Sequence, residues 1–400
     1  MKKVIIVLII GITILSSCKN SGSSQDKSIN IKSVSLPYRI DIEKNIDNIK
    51  PVLISSIGRA LEYIPLETSP NCLLKRITQI DFSDSYIFVC DFYKLLQFDR
   101  EGKFIRQIGA IGRGPGEYIY VSGYCIDEKK NKVYIIAWGI NSVLEFDFNG
   151  VFIRSFNISF PSFQLLKTDT NSFSFVIINS SETNDSENRI IITDSMGVPQ
   201  IKIKNHNRFY SKPGLMATKI PMYYFKDTIR ILESRVDTLN TFENAKHKPY
   251  AIFSFGQVKM EPDIKIPFQN PERDEVTNRI KEKLWIWTIS ENDKYIFLKF
   301  NLGISDSSKF CIFNKQSEET TFLEQHGFKN DLDGGITFWP KYVYNDTVLV
   351  DYEDAFNILK RINKKQPIGL KEPNNKISDK FEKLGKGLTE TSNPVLIVLK

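Results

Sequence analysis

The 400-residue sequence predicts an all-β fold, a six-bladed β-propeller whose terminal strands close the ring. Three observations carry this: a block that recurs at an offset of 48 residues, a D-x-x-G turn found in three copies at near-equal spacing, and strand-like segments left over at both ends of the repeats.

The recurring block is "LLQFDREGKFIRQI" (95–108) over "VLEFDFNGVFIRSF" (143–156), with seven of fourteen positions identical. Leu144, Phe146 and Phe148 alternate with Glu145 and Asp147, the period of two expected of a strand. In the turn that follows, Asp opens a type I turn and Gly supplies the positive φ that closes it. The pairs are Asp99 with Gly102, Asp147 with Gly150, and Asp194 with Gly197. A period of 40 to 50 residues holding several short strands is the signature of a propeller blade. Blades are read at 79–109, 124–156, 172–204, 224–255, 285–323 and 336–361, the later ones with "ENAK" and "NKQS" in place of the turn. Residues 257–284, with the helix-like "DEVTNRIKEKL", read as an insertion between blades. "LEYIPLE" (61–67) and "NPVLIVLK" (393–400) are the strands expected to pair and close the ring. Tandem sandwiches are the alternative fold, and they account less well for the identity block.

Between the first two blades lies "IGRGPGEY" (111–118). Gly112, Gly114 and Gly116 give backbone freedom and Pro115 stiffens the path, as a crossing from one blade to the next requires. Arg113 and Glu117 either pair to close the turn or point into the central pocket, with Tyr118 beside them. Proline stands where a P-loop needs lysine and Glu117 where a dinucleotide loop needs glycine, so a phosphate cradle is not expected.

The start, "MKKVIIVLIIGITILSSCKN", has two lysines and then an apolar run from Val4 to Leu15. That run falls short of the ~20 residues of a membrane-spanning helix and fits an export signal. Leu15-Ser16-Ser17-Cys18 resembles a lipobox, which implies cleavage before Cys18 and acylation of that cysteine. The expected organisation is a signal peptide (1–17), a lipidated cysteine with a polar tether and lead-in (18–55), and the propeller (56–400). No acidic cluster directly follows Cys18, so the expectation is an outer-membrane anchor with the body facing the periplasm.

The formal charge is +7, or about +5 without Lys2 and Lys3, and no block of like charge argues for nucleic acid. Of the mature cysteines, Cys90, Cys125 and Cys311 sit in apolar runs and Cys72 stands apart; they read as buried thiols, although an oxidising compartment would permit pairing.

Taken together, the lipobox, "LEYIPLE", the "GRGPGEY" loop after "GKFIRQIG" and the later "NDLDGGITFWP" resemble the six-bladed β-propeller lipoproteins of Bacteroides-type bacteria, loosely akin to NHL-repeat propellers. The resemblance implies the fold and an envelope location. It brings no reaction and no catalytic residues.

Chemistry is sparse in the sequence itself. His206, His247 and His326 have no metal-ligand spacing, and Asp331 and Asp333 in "NDLDGG" lack the later ligands of a calcium loop. No cofactor or metal is expected. Trp138, Trp285, Trp287 and Trp339 are read either as packing between blades or as platforms for a sugar face or a peptide side chain. The expected function is therefore a binding module for a glycan, peptide or envelope protein, with Arg113, Glu117, Tyr118, Trp138 and Trp339 as candidate contacts. An axial hydrolase or lyase site, and a structural subunit of an outer-membrane assembly, are the alternatives.

Overall fold

The computed structural model describes residues 36–168, 171–177, 187–204, 221–232, 237–243, 246–261, 272–303, 305, 307–364 and 377–400. Cys18 and His206 lie outside these residues. The described residues open with β1 (Tyr38–Asp41), the short helix α1 (Ile42–Asn45), β2 (Ile49–Lys50) and β3 (Leu61–Pro65), and each of these strands joins a blade built by later residues. Blade 1 is β4 (Gln79–Phe82), β5 (Tyr86–Cys90), β6 (Leu95–Asp99) and β7 (Phe104–Ile108). The loop that follows contains β8 (Ala110–Ile111) and β9 (Glu117–Tyr118). Blade 2 is β10 (Tyr120–Asp127), β11 (Lys132–Trp138), β12 (Ser142–Asp147) and β13 (Phe152–Asn157). Blade 3 is β14 (Ser162–Lys167), β15 (Ser172–Ile177), β16 (Asn188–Asp194) and β17 (Pro199–Lys204).

Blade 4 is β18 (Met222–Phe225), β19 (Thr228–Leu232), β20 (Thr238–Glu243) and β21 (Lys246–Ser254), with β1 added in parallel outside β21. The helix α2 (Glu272–Ile280) precedes blade 5, which is β22 (Leu284–Glu291), β23 (Tyr295–Leu302), β24 (Ser308–Asn314) and β25 (Thr320–Leu323), with β2 added in parallel outside β25. Blade 6 is β26 (Tyr342–Tyr344), β27 (Val348–Glu353) and β28 (Val395–Leu399), completed by β3. The helices α3 (Ala355–Lys364) and α4 (Asp379–Leu384) lie between β27 and β28 in sequence. Five residues of β28 pair antiparallel with β3, from Val395↔Pro65 to Leu399↔Leu61, so the two ends of the chain close the ring as expected.

The middle strands read as near-continuous apolar runs because both of their faces are covered by neighbouring blades. One buried core lies at each blade junction: Ile80, Phe98 and Val398 between blades 6 and 1; Phe88, Tyr124 and Phe146 between 1 and 2; Tyr134, Phe156 and Phe175 between 2 and 3; Val176, Ile190 and Ile231 between 3 and 4; Leu239, Phe253 and Phe300 between 4 and 5; Phe297, Trp339 and Ile397 between 5 and 6. Glu145 sits within such a run, buried in β12. Burial works against its ionised form, but bonds from Lys132 and from Arg154 (2.7 Å) outweigh this and hold its carboxyl below the ordinary carboxylate range.

The D-x-x-G turns link the third and fourth strands of blades 1 to 3. Asp99 accepts from the amides of Glu101 and Lys103 at 3.1 and 2.8 Å, and Asp147 and Asp194 bond following amides in the same way. Gly102 has φ +88°, and a Cβ there would stand 2.3 Å from the carbonyl oxygen of Pro65 on the preceding blade. The glycine is thus required twice, by its backbone angle and by the turn's docking on its neighbour. Gly102→Ala is expected to cost about 1–3 kcal/mol, read as a lower urea midpoint. In blade 5 the same work is divided: Asn314 accepts from the amides of Gln316 and Ser317, and Glu318 takes the left-handed position at φ +58°.

Three segments differ from the sequence reading. The innermost strand of blade 3, Ser162–Lys167, precedes the expected start at 172; Ser162 and Gln164 interrupt its apolar pattern. Residues 355–361, read as the end of the sixth blade, lie in α3, where the buried side chains Ala355, Ile358 and Arg361 recur with helical spacing. Residues 38–50, placed in the lead-in, supply strands to blades 4 and 5.

Candidate functional site

Side chains from the loops between second and third strands, and from the links between blades, gather at one end of the ring. In blade 1 the turn from β5 to β6 carries Asp91, Phe92, Tyr93 and Lys94. Asp91 is buried, and its carboxylate accepts from the amides of Tyr93 (3.1 Å), Lys94 (3.0 Å) and Lys75 (3.4 Å). Pinned in this way, Phe92 holds a left-handed backbone at φ +76°, an outlier for a bulky residue, and its carbonyl accepts from the Val121 amide at 2.8 Å. Such strain costs on the order of 1–3 kcal/mol and persists only where the surroundings enforce it.

The Phe92 ring stacks on Tyr120 with centroids 5.0 Å apart, and Tyr93 meets both edge-on at 5.7 and 5.6 Å. Lys75 lies over the Tyr93 ring at 4.4 Å, within cation–π range. Tyr120 is the cross-strand partner of Trp138, which stacks on Phe163 of blade 3 at 4.9 Å and 10°. These five rings form a strip across blades 1 to 3. Phe92, Tyr93, Trp138 and Phe163 each leave 38 or 39% of their surface open, which interior packing does not require.

Lys75 also stands on the rim of an open cleft of about 320 Å³ between blades 6 and 1. Residues 74–77 form one wall, and 354–356 with 390–394 form the other. Leu74, Ile77, Tyr352 and Pro394 contribute apolar atoms to its lining beside the polar Thr391 and Ser392, and Phe356 is exposed. Asn393 anchors both walls from below: its side chain accepts from the Leu74 amide at 2.8 Å and donates to the carbonyls of Glu67 and Cys72 at 2.6 and 2.9 Å.

The residues singled out in the sequence fall into several places. Trp138 belongs to the strip. Tyr118 is fully buried between blades 1 and 2, where its hydroxyl donates to the Ile108 carbonyl at 2.8 Å; this corrects its reading as a contact residue. Trp339 is likewise a core residue, stacked on Phe328 and edge-on to Phe310 and Phe297. Glu117 does not pair with Arg113. It folds over its own loop and accepts from the Gly114 amide at 2.7 Å, lying where a Cβ on Gly112 would sit. Pro115 and Arg113 are exposed at the loop tip, while Gly116 packs on Phe152. The loop closes through a two-residue parallel ladder, Ala110↔Glu117 and Ile111↔Tyr118.

Trp285 and Trp287 are a half-buried edge-on pair at 5.2 Å, with the Trp285 indole donating to the Gly303 carbonyl. His247 leans on Phe242 and His326 on Phe310. Asp331 accepts from the Ser55 amide, and Asp333 from Asn330 and the Gly335 amide. Among the described residues, no three His, Cys, Asp or Glu side chains are grouped to hold a metal ion. The four cysteines there are buried and unpaired; burial pushes the Cys90 thiol up to about 11.

Phe92, Tyr93, Tyr120, Phe163 and Lys75 were not apparent as site residues from the sequence. One signal was present: "DFYK" fills a tight turn with two aromatics where glycine or asparagine is the common choice.

Six blades around one ring, closed between the two chain ends, define the molecule as a six-bladed β-propeller. The chain belongs to the family described as a domain of unknown function, DUF4934, whose profile matches residues 37–400. Its fold is similar to that of a Bacteroides fragilis protein described as inferred to be exported: 18% identity, 91% of this chain and 99% of the other covered, TM-score 0.69. A member of the DUF4221 family from Bacteroides vulgatus is a more distant likeness, at 14% identity, 66% and 85% coverage and TM-score 0.46. No curated protein matches the chain.

Proposed function

We propose that this protein is an envelope lipoprotein of the NHL-like propeller type, anchored through Cys18 in the outer membrane, whose propeller binds a glycan, peptide or protein partner on the aromatic end of the ring. The observation that carries the binding role is Phe92, a large ring held open to solvent on a strained backbone that glycine would occupy without steric cost. Strain kept at an exposed aromatic is a mark of a recognition site.

Phe92→Gly separates the two roles of that residue. It is expected to stabilise the fold by about 1 kcal/mol while weakening ligand capture by about tenfold, with Trp138→Ala weakening capture similarly and leaving the fold intact. Capture is measured with full-length protein in detergent against glycan and peptide arrays, and stability by urea unfolding. A destabilised Phe92→Gly variant with undiminished capture contradicts the proposal. For the anchor, Cys18→Ser should abolish palmitate labelling and release the protein from the membrane fraction.

A further inference from the structure

The cleft between blades 6 and 1 carries charge of opposite sign on its two walls. Lys75 and Arg76 stand on one wall, and Asp354 and Glu390 on the other; all four are exposed. The side chains of Arg76, Asp354 and Glu390 make no hydrogen bond or ion pair among the described residues, and Lys75 engages only the Tyr93 ring. The cleft also takes apolar atoms from Tyr352 and Pro394 beside the polar Thr391 and Ser392, and Phe356 on its lining is exposed.

This pattern discriminates among ligand classes. A neutral oligosaccharide would leave both pairs of charges unmatched. A uniformly acidic chain, whether polysaccharide or nucleic acid, would be drawn to Lys75 and Arg76 but opposed by Asp354 and Glu390, and a basic chain meets the reverse. A ligand carrying both signs on either side of an apolar group satisfies the two walls and meets the exposed Phe356 ring together. The aromatic strip beginning at Tyr93 then receives further apolar side chains, because Lys75 belongs to both the cleft and the strip.

The geometry points to a polypeptide segment of mixed charge as the ligand, with an apolar side chain in the cleft, acidic and basic side chains on its opposite walls, and the flanking chain laid over the strip toward Trp138. This rests on the reading of the aromatic end as a binding surface.

The test uses full-length protein in detergent and four labelled 12-residue peptides, each with a central phenylalanine. One carries glutamates on one side and lysines on the other, one is all-acidic, one all-basic, and one has glutamine at every charged position. The mixed peptide is expected to bind best, by about tenfold over the glutamine peptide, and more weakly at high salt. Lys75→Glu with Arg76→Glu makes the cleft wholly acidic, so preference should move to the all-basic peptide. Adding Asp354→Lys and Glu390→Lys restores opposite walls and should restore the mixed peptide; this fourfold variant also shows that lost binding is not lost folding. Equal binding of all four peptides, or a preference unchanged by the wall variants, overturns the assignment. Glycan binding that needs Trp138 without any peptide binding overturns it but leaves the binding surface standing, as does a Trp138-dependent dimer seen by ultracentrifugation. Failure of peptides and glycans alike, with no dimer, ends both readings.

Discussion

Glu291→Ala is expected to cost about 3–5 kcal/mol, enough to remove much of the stability of an ordinary fold. Glu291 closes β22 with its side chain wholly buried between blades 4 and 5. Its carboxylate accepts from the Arg230 guanidinium at 3.1 Å, the Tyr223 hydroxyl at 3.3 Å, the Tyr250 hydroxyl at 2.7 Å and the Lys315 ammonium. The two cations are nearly as buried as the anion; Arg230 lies 3.9 Å over the Tyr250 ring and Lys315 4.0 Å over that of Phe225. Alanine leaves both without a counter-charge in a region of low dielectric, where desolvation already draws the Lys315 ammonium below its ordinary range. The loss should appear as a lowered denaturation midpoint. Replacing all three charged residues by apolar ones of similar volume should recover most of it, because an apolar junction leaves no charge unpaired. A Glu291→Ala variant within 1 kcal/mol of the parent, roughly the value of an exposed pair, would show that water reaches this junction.

Ending the chain at Pro394 should abolish cooperative folding altogether. The five residues of β28 are all buried and pair with β27 on one side and β3 on the other; Leu396 and Val398 pack into the core on one face of blade 6, Ile397 and Leu399 into that on the other, and Val395 against Ile358 and Phe381. At about 1.5–3 kcal/mol for each large apolar side chain, their removal forfeits on the order of 10 kcal/mol, comparable with the whole stability of a domain. It also leaves β3 without the only ladder it makes among the described residues. Loss of near-ultraviolet circular dichroism and rapid proteolysis throughout the chain are the expected results. A truncated chain that still unfolds in one sharp transition would mean that the remaining blades hold together as an open arc.

The fold was legible in the sequence wherever local chemistry repeats. Asp99, Asp147 and Asp194 with their glycines mark the turns, and the apolar runs of the middle strands follow from burial on both faces. It was less legible at β14, whose polar Ser162 and Gln164 bond the carbonyls of Val176 and Met222 and break the apolar pattern, and at α3, whose apolar spacing admits either element over a few residues. The site was mostly hidden. Its rings come from Phe92, Tyr93, Tyr120, Trp138 and Phe163 on three blades, and only the packing of each blade on the next brings them side by side. Trp138 could be singled out by residue type, but so could Trp339, and type alone does not separate an open ring from a packed one. The strain at Phe92 is likewise a property of the pinned turn, set by the buried Asp91 carboxylate and not by any recognisable motif.

The strands added outside blades 4 and 5 decide how the molecule carries mechanical load. A pull on the chain's beginning, such as a fatty anchor would deliver, meets the ladder of β1 along β21 and then that of β2 along β25 before it reaches β3. Parallel ladders loaded along their length resist as a set, and each must shear before force passes to the next. The seam that keeps the wheel shut therefore lies last in the path of any such tension, behind the ladders of β1 and β2.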